Sequence, residues 1–270
     1  MVSIEELTDQ LKDAAAQPDS EVELALLVAQ IIEPPAQDPA QFKQDIYTRL
    51  QELAARAEGI HADPAQGVLQ VLQQAGFSRT SQPHQVITAQ HSHLGWVLEN
   101  QQGIPISLAV LVIAVARHCG LSAWGINFPG HFLVSLEDRL VDPLSLEFVD
   151  EAQLLKPGDT PTDLGRLLLP ARPQSFVLRM LNNLKALQMT QQEWSGALDI
   201  IDYQAAICAD DNALLATLEY ERGQCWVQLG AYAVAAEAFA RCADKTAEPE
   251  LARQAQERVE QLSRRTEVLH

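Results

Sequence analysis

The sequence predicts an α+β chain, predominantly helical, with one small antiparallel sheet in its middle and a helical array behind it. Three observations carry that expectation. Apolar residues recur at helical spacing up to about residue 80, the period shortens between residues 121 and 143, and helical spacing returns from residue 173 onward. At 270 residues the chain has ample length for a sizeable core, in one large domain or two modest ones.

In the first segment Ile46, Leu50, Leu53, Ala54 and Ala57 fall on one helical face. Pro34-Pro35-Ala36-Gln37-Asp38-Pro39 separates that helix from an apolar one over 24–32, because proline cannot continue a helix interior. Ser81-Gln82-Pro83 reads as a loop. Next comes a helix over 107–118, stopped by Cys119-Gly120. Residues 121–128, 131–136 and 139–143 then read as short strands, the last two forming a hairpin across Glu137-Asp138. A two-residue loop there pairs Leu136 with Arg139, Leu133 with Asp142 and His131 with Leu144. Alternation would place His131 and Asp142 on one face as diagonal neighbours.

Lys156-Pro157-Gly158-Asp159-Thr160-Pro161, with Pro170 and Pro173, marks the expected domain boundary. The expected organisation is a helical region over 1–80 packed with a core over 81–156, followed by repeats over 172–266. Trp194, Ala197, Ile201 and Ala205 match Tyr232, Ala235, Phe239 and Ala243 at a constant interval of 38. Small residues let paired helices approach while large ones fill the gaps, so Trp194, Ala197, Gly230, Tyr232, Ala235 and Phe239 are the expected packing residues. The second copy resembles a tetratricopeptide repeat, whose concave side would take a protein or peptide partner.

Composition narrows the function classes. The 36 acidic and 19 basic residues leave a net charge of −17, which argues against nucleic acid as a partner and against an anionic membrane surface. The apolar run Ile104–Ala116 falls short of the roughly 20 residues of a membrane span, and the acidic start MVSIEELTDQ is unlike a signal peptide. Cys119, Cys208, Cys225 and Cys242 show no paired spacing and read as reduced thiols of a cytoplasmic protein. No cofactor and no metal site is expected. His91-Ser92-His93 lacks a third ligand and reads as a solvent-exposed loop, while Trp96 and Trp124 read as packing residues. Oligomeric state is left open.

Four motifs occur in order: Gly103-Ile104-Pro105-Ile106-Ser107-Leu108, Ala116-Arg117 with Gly120-Leu121, Asn127-Phe128-Pro129-Gly130-His131-Phe132-Leu133-Val134, and Val141-Asp142-Pro143. Together they resemble the transglutaminase-like core of bacterial SirB-type proteins, which is followed by tetratricopeptide repeats. The resemblance implies a papain-like fold, with a central helix on an antiparallel sheet. Active members place a cysteine at the start of that helix, a histidine on a strand and an aspartate on the next strand. His131 and Asp142 match the second and third positions. Counting back from Ala109 and from Arg117 reaches residue 105 both times, and that residue is proline. Cys119 cannot substitute, lying twelve residues beyond Ser107 on the same helix, about 18 Å away. Ser107 is the nearby hydroxyl, but it faces a different direction from residue 105 and reads first as a small helix-start residue. Gly130 suggests a close backbone approach beside His131.

Two functions are weighed on this basis. The first is a pseudoenzyme acting as a protein-binding adaptor or regulatory scaffold, its His131–Asp142 pocket holding a peptide or merely bracing the sheet. The alternative is a hydrolase or acyltransferase on amide or ester bonds, with Ser107 attacking, His131 as base and Asp142 orienting it. A structural homologue whose pocket has closed is a third, weaker reading.

Overall fold

The computed structural model describes residues 4–77, 86–154 and 161–268. The expected loop at 81–83 and residues 156–160 of the expected boundary lie outside the described residues. Backbone packing divides the chain into two compact units, one of Asp13–Met180 and one of Ile4–Lys12 with Leu181–His270.

The first unit follows the helix α1 (Ile4–Ala15), whose leading residues are grouped with the second unit. It contains α2 (Glu21–Ile32), α3 (Pro39–Ala57), α4 (Pro64–Gln74), α5 (Leu94–Asn100), α6 (Pro105–His118), a four-stranded sheet, α7 (Pro161–Leu167) and the start of α8 (Pro173–Thr190). Helix α3 begins where its sequence says it must. The Asp38 carboxylate accepts from the Gln41 N–H, Pro39 occupies the first turn, and Ile46, Leu50, Leu53, Ala54 and Ala57 form the buried face.

Helix α6 is the centre of the unit. Every residue from Ile106 to Ala116 is buried, with α2, α3, α4, α5 and the first two strands packed around it. A helix enclosed on all sides has no polar stripe, which is why this segment is a continuous apolar run. Each large side chain removed from water there contributes about 1.5–3 kcal/mol. At its end Arg117 donates to both carboxylate oxygens of Glu21, at 2.6 and 3.2 Å, and from Nε to the Ala123 carbonyl at 3.0 Å. One planar guanidinium thus ties α2, α6 and the first strand together.

The sheet runs β1 (Ala123–Ile126), β2 (Leu133–Leu136), β3 (Arg139–Asp142) and β4 (Glu147–Phe148), antiparallel throughout. Glu137 and Asp138 both have positive φ, 49° and 59°, the conformation of a two-residue hairpin turn whose twist suits the strands. Leu136 pairs with Arg139 as expected, and Val134 with Val141. The expected His131–Leu144 pair does not form. Pro129 and Gly130, the latter at φ +80°, make a turn closed by the His131 N–H on the Phe128 carbonyl at 3.1 Å, so β2 starts only at Leu133. Pro143 then turns β3 into β4, a two-residue strand that sequence spacing could not separate from its turn.

Gly125, Val134 and Val141 are cross-strand partners on the face toward α6, since a Cβ on Gly125 would sit 3.7 Å from Ile113 Cδ1. Ile126, Leu133 and Leu140 lie on the opposite face and cluster with Phe128 and with Leu164 of α7.

The second unit includes α9 (Trp194–Ile207), α10 (Asn212–Gln228), α11 (Tyr232–Lys245) and α12 (Pro249–Val268). Trp194 and Tyr232 open α9 and α11, so the interval of 38 is the spacing of helix starts. Ala197 and Ala235 are wholly buried. The Phe239 ring occupies the space a Cβ on Gly223 would enter at 2.8 Å, and meets Tyr220 edge-on at 5.2 Å. Gly230, at φ +76°, ends α10 in the left-handed conformation. No single helix among the described residues is long and apolar enough to cross a membrane.

Candidate functional site

The position that the resemblance assigns to a nucleophile lies in the first turn of α6. Pro105 opens the helix, where its fixed φ is favourable and its missing N–H costs nothing, but it offers no nucleophile. Two residues on, Ser107 is buried. Its hydroxyl lies 2.7 Å from the His91 carbonyl and 2.9 Å from the Ile104 carbonyl, and accepts the Ile104 N–H at 3.0 Å. With one proton and few lone-pair directions, the hydroxyl is committed to backbone. Gly103 makes room for it, because a Cβ there would lie 2.7 Å from Ser107 Oγ.

The segment holding His91 is not the solvent-exposed loop expected. His91 and Ser92 are buried in a 3-10 turn over Ala89–Ser92. The His91 Nδ1 accepts the Thr88 N–H at 3.1 Å, and the ring packs against Trp96 with centroids 4.9 Å apart. Burial follows from the use of the His91 carbonyl by both Ser107 and the Ile104 N–H at 3.2 Å. His93 caps α5, its Nδ1 accepting the Trp96 N–H at 3.0 Å.

His131 is exposed, directly after the Pro-Gly turn. A Cβ on Gly130 would meet no atom within 4 Å, so the expected close approach is absent and the glycine serves the positive φ instead. Asp142 is half-buried. Its carboxylate accepts the Leu144 N–H at 2.9 Å and its carbonyl accepts the Leu146 N–H at 2.8 Å, so it organises the turn into β4. Strand alternation puts Asp142 on the Leu140 face, away from α6. Among the described residues no hydrogen bond or ion pair joins Ser107, His131 and Asp142 to one another. Ser107 thus sits on the helix, Asp142 across the sheet and His131 in a turn.

The thiols are not activated. Cys119 caps the end of α6 with Sγ 3.6 Å from the Ala54 carbonyl, and burial, helped by Glu58, pushes its pKa up. Burial likewise raises Cys208 and Cys225, and holds Cys242 at about 11. Among the described residues no cluster of three His, Cys, Asp or Glu side chains is placed to hold a metal ion.

Two concavities were not singled out from sequence. One, of about 310 Å³, lies in the second unit among Met189, Trp194, Gln224, Val227, Phe239 and Arg258. The other, of about 480 Å³, is lined in the first unit by Phe42, His93 and Trp96 with Glu33 and Glu99. His93 and Trp96 are three residues apart in sequence, but Phe42 and Glu33 reach them only through the fold.

A buried helix packed on a small antiparallel sheet is the architecture of a transglutaminase-like core. A family profile described as the transglutaminase-like superfamily matches residues 42–182, more than half of the chain, and the chain belongs to that superfamily. Its relatives include a UPF0162 protein of Xylella fastidiosa strain 9a5c, 34% identical over 157 residues, covering 52% of this chain and 53% of that protein. A UPF0162 protein of Pseudomonas aeruginosa is 28% identical over 197 residues, covering 68% of this chain and 70% of its own. The chain spans about half the length of the Xylella relatives it matches. No solved structure matches it.

Proposed function

We propose that this chain is a non-catalytic, cytoplasmic member of the superfamily, acting as an adaptor or regulatory scaffold through its helical second unit. The observation that carries this reading is at the start of α6. Pro105 occupies the nucleophile position and the nearby hydroxyl, Ser107, is spent on the backbone of residues 91 and 104. Four free thiols with raised pKa values supply no replacement and suit a reducing compartment. In this reading α9–α12 are tetratricopeptide-like, and the concavity beside Trp194 and Phe239, with Arg258 at its edge, receives a partner's side chain.

The test has two arms on the full-length protein. Native protein should resist a fluorophosphonate probe and a vinyl sulfone probe at neutral pH. Affinity capture should retain specific protein partners that the exposed variant Arg258→Glu releases. Labelling of wild type that disappears in Ser107→Ala would establish the hydrolase alternative instead, and capture indifferent to Arg258 would remove the second unit as the binding surface.

A further inference from the structure

The groove of about 480 Å³ in the first unit has an unusual lining: three rings, Phe42, His93 and Trp96, and two carboxylates, Glu33 and Glu99. No lysine or arginine is among its described lining residues, and the nearby Lys43 is paired with Glu23 at 2.5 Å. The rings are held in place. Gly95 allows the Phe42 and His93 rings to approach to 5.8 Å between centroids, since a Cβ there would lie 2.9 Å from the Phe42 ring. His93 is anchored by the Trp96 N–H and Trp96 by the His91 ring. Burial lowers the His93 pKa, so its ring is neutral at pH 7 and adds no repulsion toward a cation.

Ligand classes can be separated on these facts. Anions are opposed by both carboxylates and by the net charge of −17. A strongly hydrated cation needs a full shell of oxygen donors to replace its water, whereas three of the groove's lining side chains are rings, and Glu33 Oε2 already accepts from Gln90 Nε2 at 2.9 Å. A methylated ammonium needs no hydrogen bonds, spreads its charge over methyl surface, and is attracted by ring quadrupoles. We propose that this groove binds a methylated ammonium group, seated against Phe42, His93 and Trp96 and balanced by Glu33 and Glu99. The assignment is independent of the fate of residue 105.

The experiment is calorimetric titration of the full-length protein with tetramethylammonium, n-butylammonium and the neutral isostere 3,3-dimethylbutanol at matched ionic strength. Location is read from the 19F resonance of 5-fluorotryptophan at Trp96, assigned with Trp96→Phe. Tetramethylammonium should bind saturably and move the Trp96 signal, n-butylammonium should bind more weakly, and the neutral compound should not bind. Glu33→Gln with Glu99→Gln, both exposed and confirmed folded by circular dichroism, should weaken binding roughly tenfold. A trimethyl-lysine peptide compared with choline separates a protein-borne source from a free one, and binding of either upholds the site. Equal binding of the neutral isostere, equal or tighter binding of the primary amine, or no saturable shift at Trp96 overturns the proposal.

Discussion

The Ser107 hydroxyl lies 2.7 Å from the backbone carbonyl of His91, sixteen residues earlier in the chain. This contact ties the 3-10 turn before α5 to the first turn of α6. A side chain recruited to hold two backbone segments together in the core is a structural member, and its removal is expected to read out as stability.

Ser107→Ala is therefore predicted to lower the free energy of unfolding by about 1–3 kcal/mol, the usual cost of leaving buried partners short of a hydrogen bond. Urea denaturation of wild type and variant measures it. An unchanged midpoint would show that the hydroxyl does no structural work.

The Arg117–Glu21 pair gives a sharper expectation. The Glu21 side chain is only 7% exposed, so Arg117→Met leaves a carboxylate buried without its partner. The expected loss is about 3–5 kcal/mol. Combining it with Glu21→Gln should restore a substantial part, and a double-mutant cycle quantifies the coupling. Additive single losses would contradict the pairing.

Gly125 and Phe132 are coupled by shape. The Phe132 ring lies 2.7 Å from where a Gly125 Cβ would be, and both residues are buried. Gly125→Ala should destabilise by about 1–3 kcal/mol through overpacking, and Phe132→Leu in the same chain should recover part of that loss. Thermal melts of the three variants decide it.

His93 links stability to pH. Burial depresses its pKa in the folded protein, with Glu33 and Glu99 opposing, so the folded state favours the neutral ring. The unfolded chain binds the proton near the ordinary value of about 6.5, so stability falls as pH drops through that value toward the folded one. Between about pH 7.5 and about pH 5 the urea midpoint should fall less in His93→Asn, which keeps an acceptor at the cap of α5, than in wild type. Parallel profiles would refute the assignment.

Much of the first unit was legible without coordinates because it rests on local rules. The five apolar residues of α3 share a face by spacing alone, Asp38-Pro39 starts that helix, and Glu137-Asp138 sets the hairpin register through its turn. The proline that opens α6 at residue 105 is likewise a fact of sequence.

Other features needed the tertiary structure. Where Ser107 donates, which sheet face Asp142 occupies, and why His91 is buried depend on contacts between residues far apart in the chain. The same holds for the ring-lined groove, whose Phe42 and Trp96 belong to different helices. Periodicity reports which side of an element faces inward, whereas the partner across the gap is chosen by packing, and packing exists only once the chain has closed on itself.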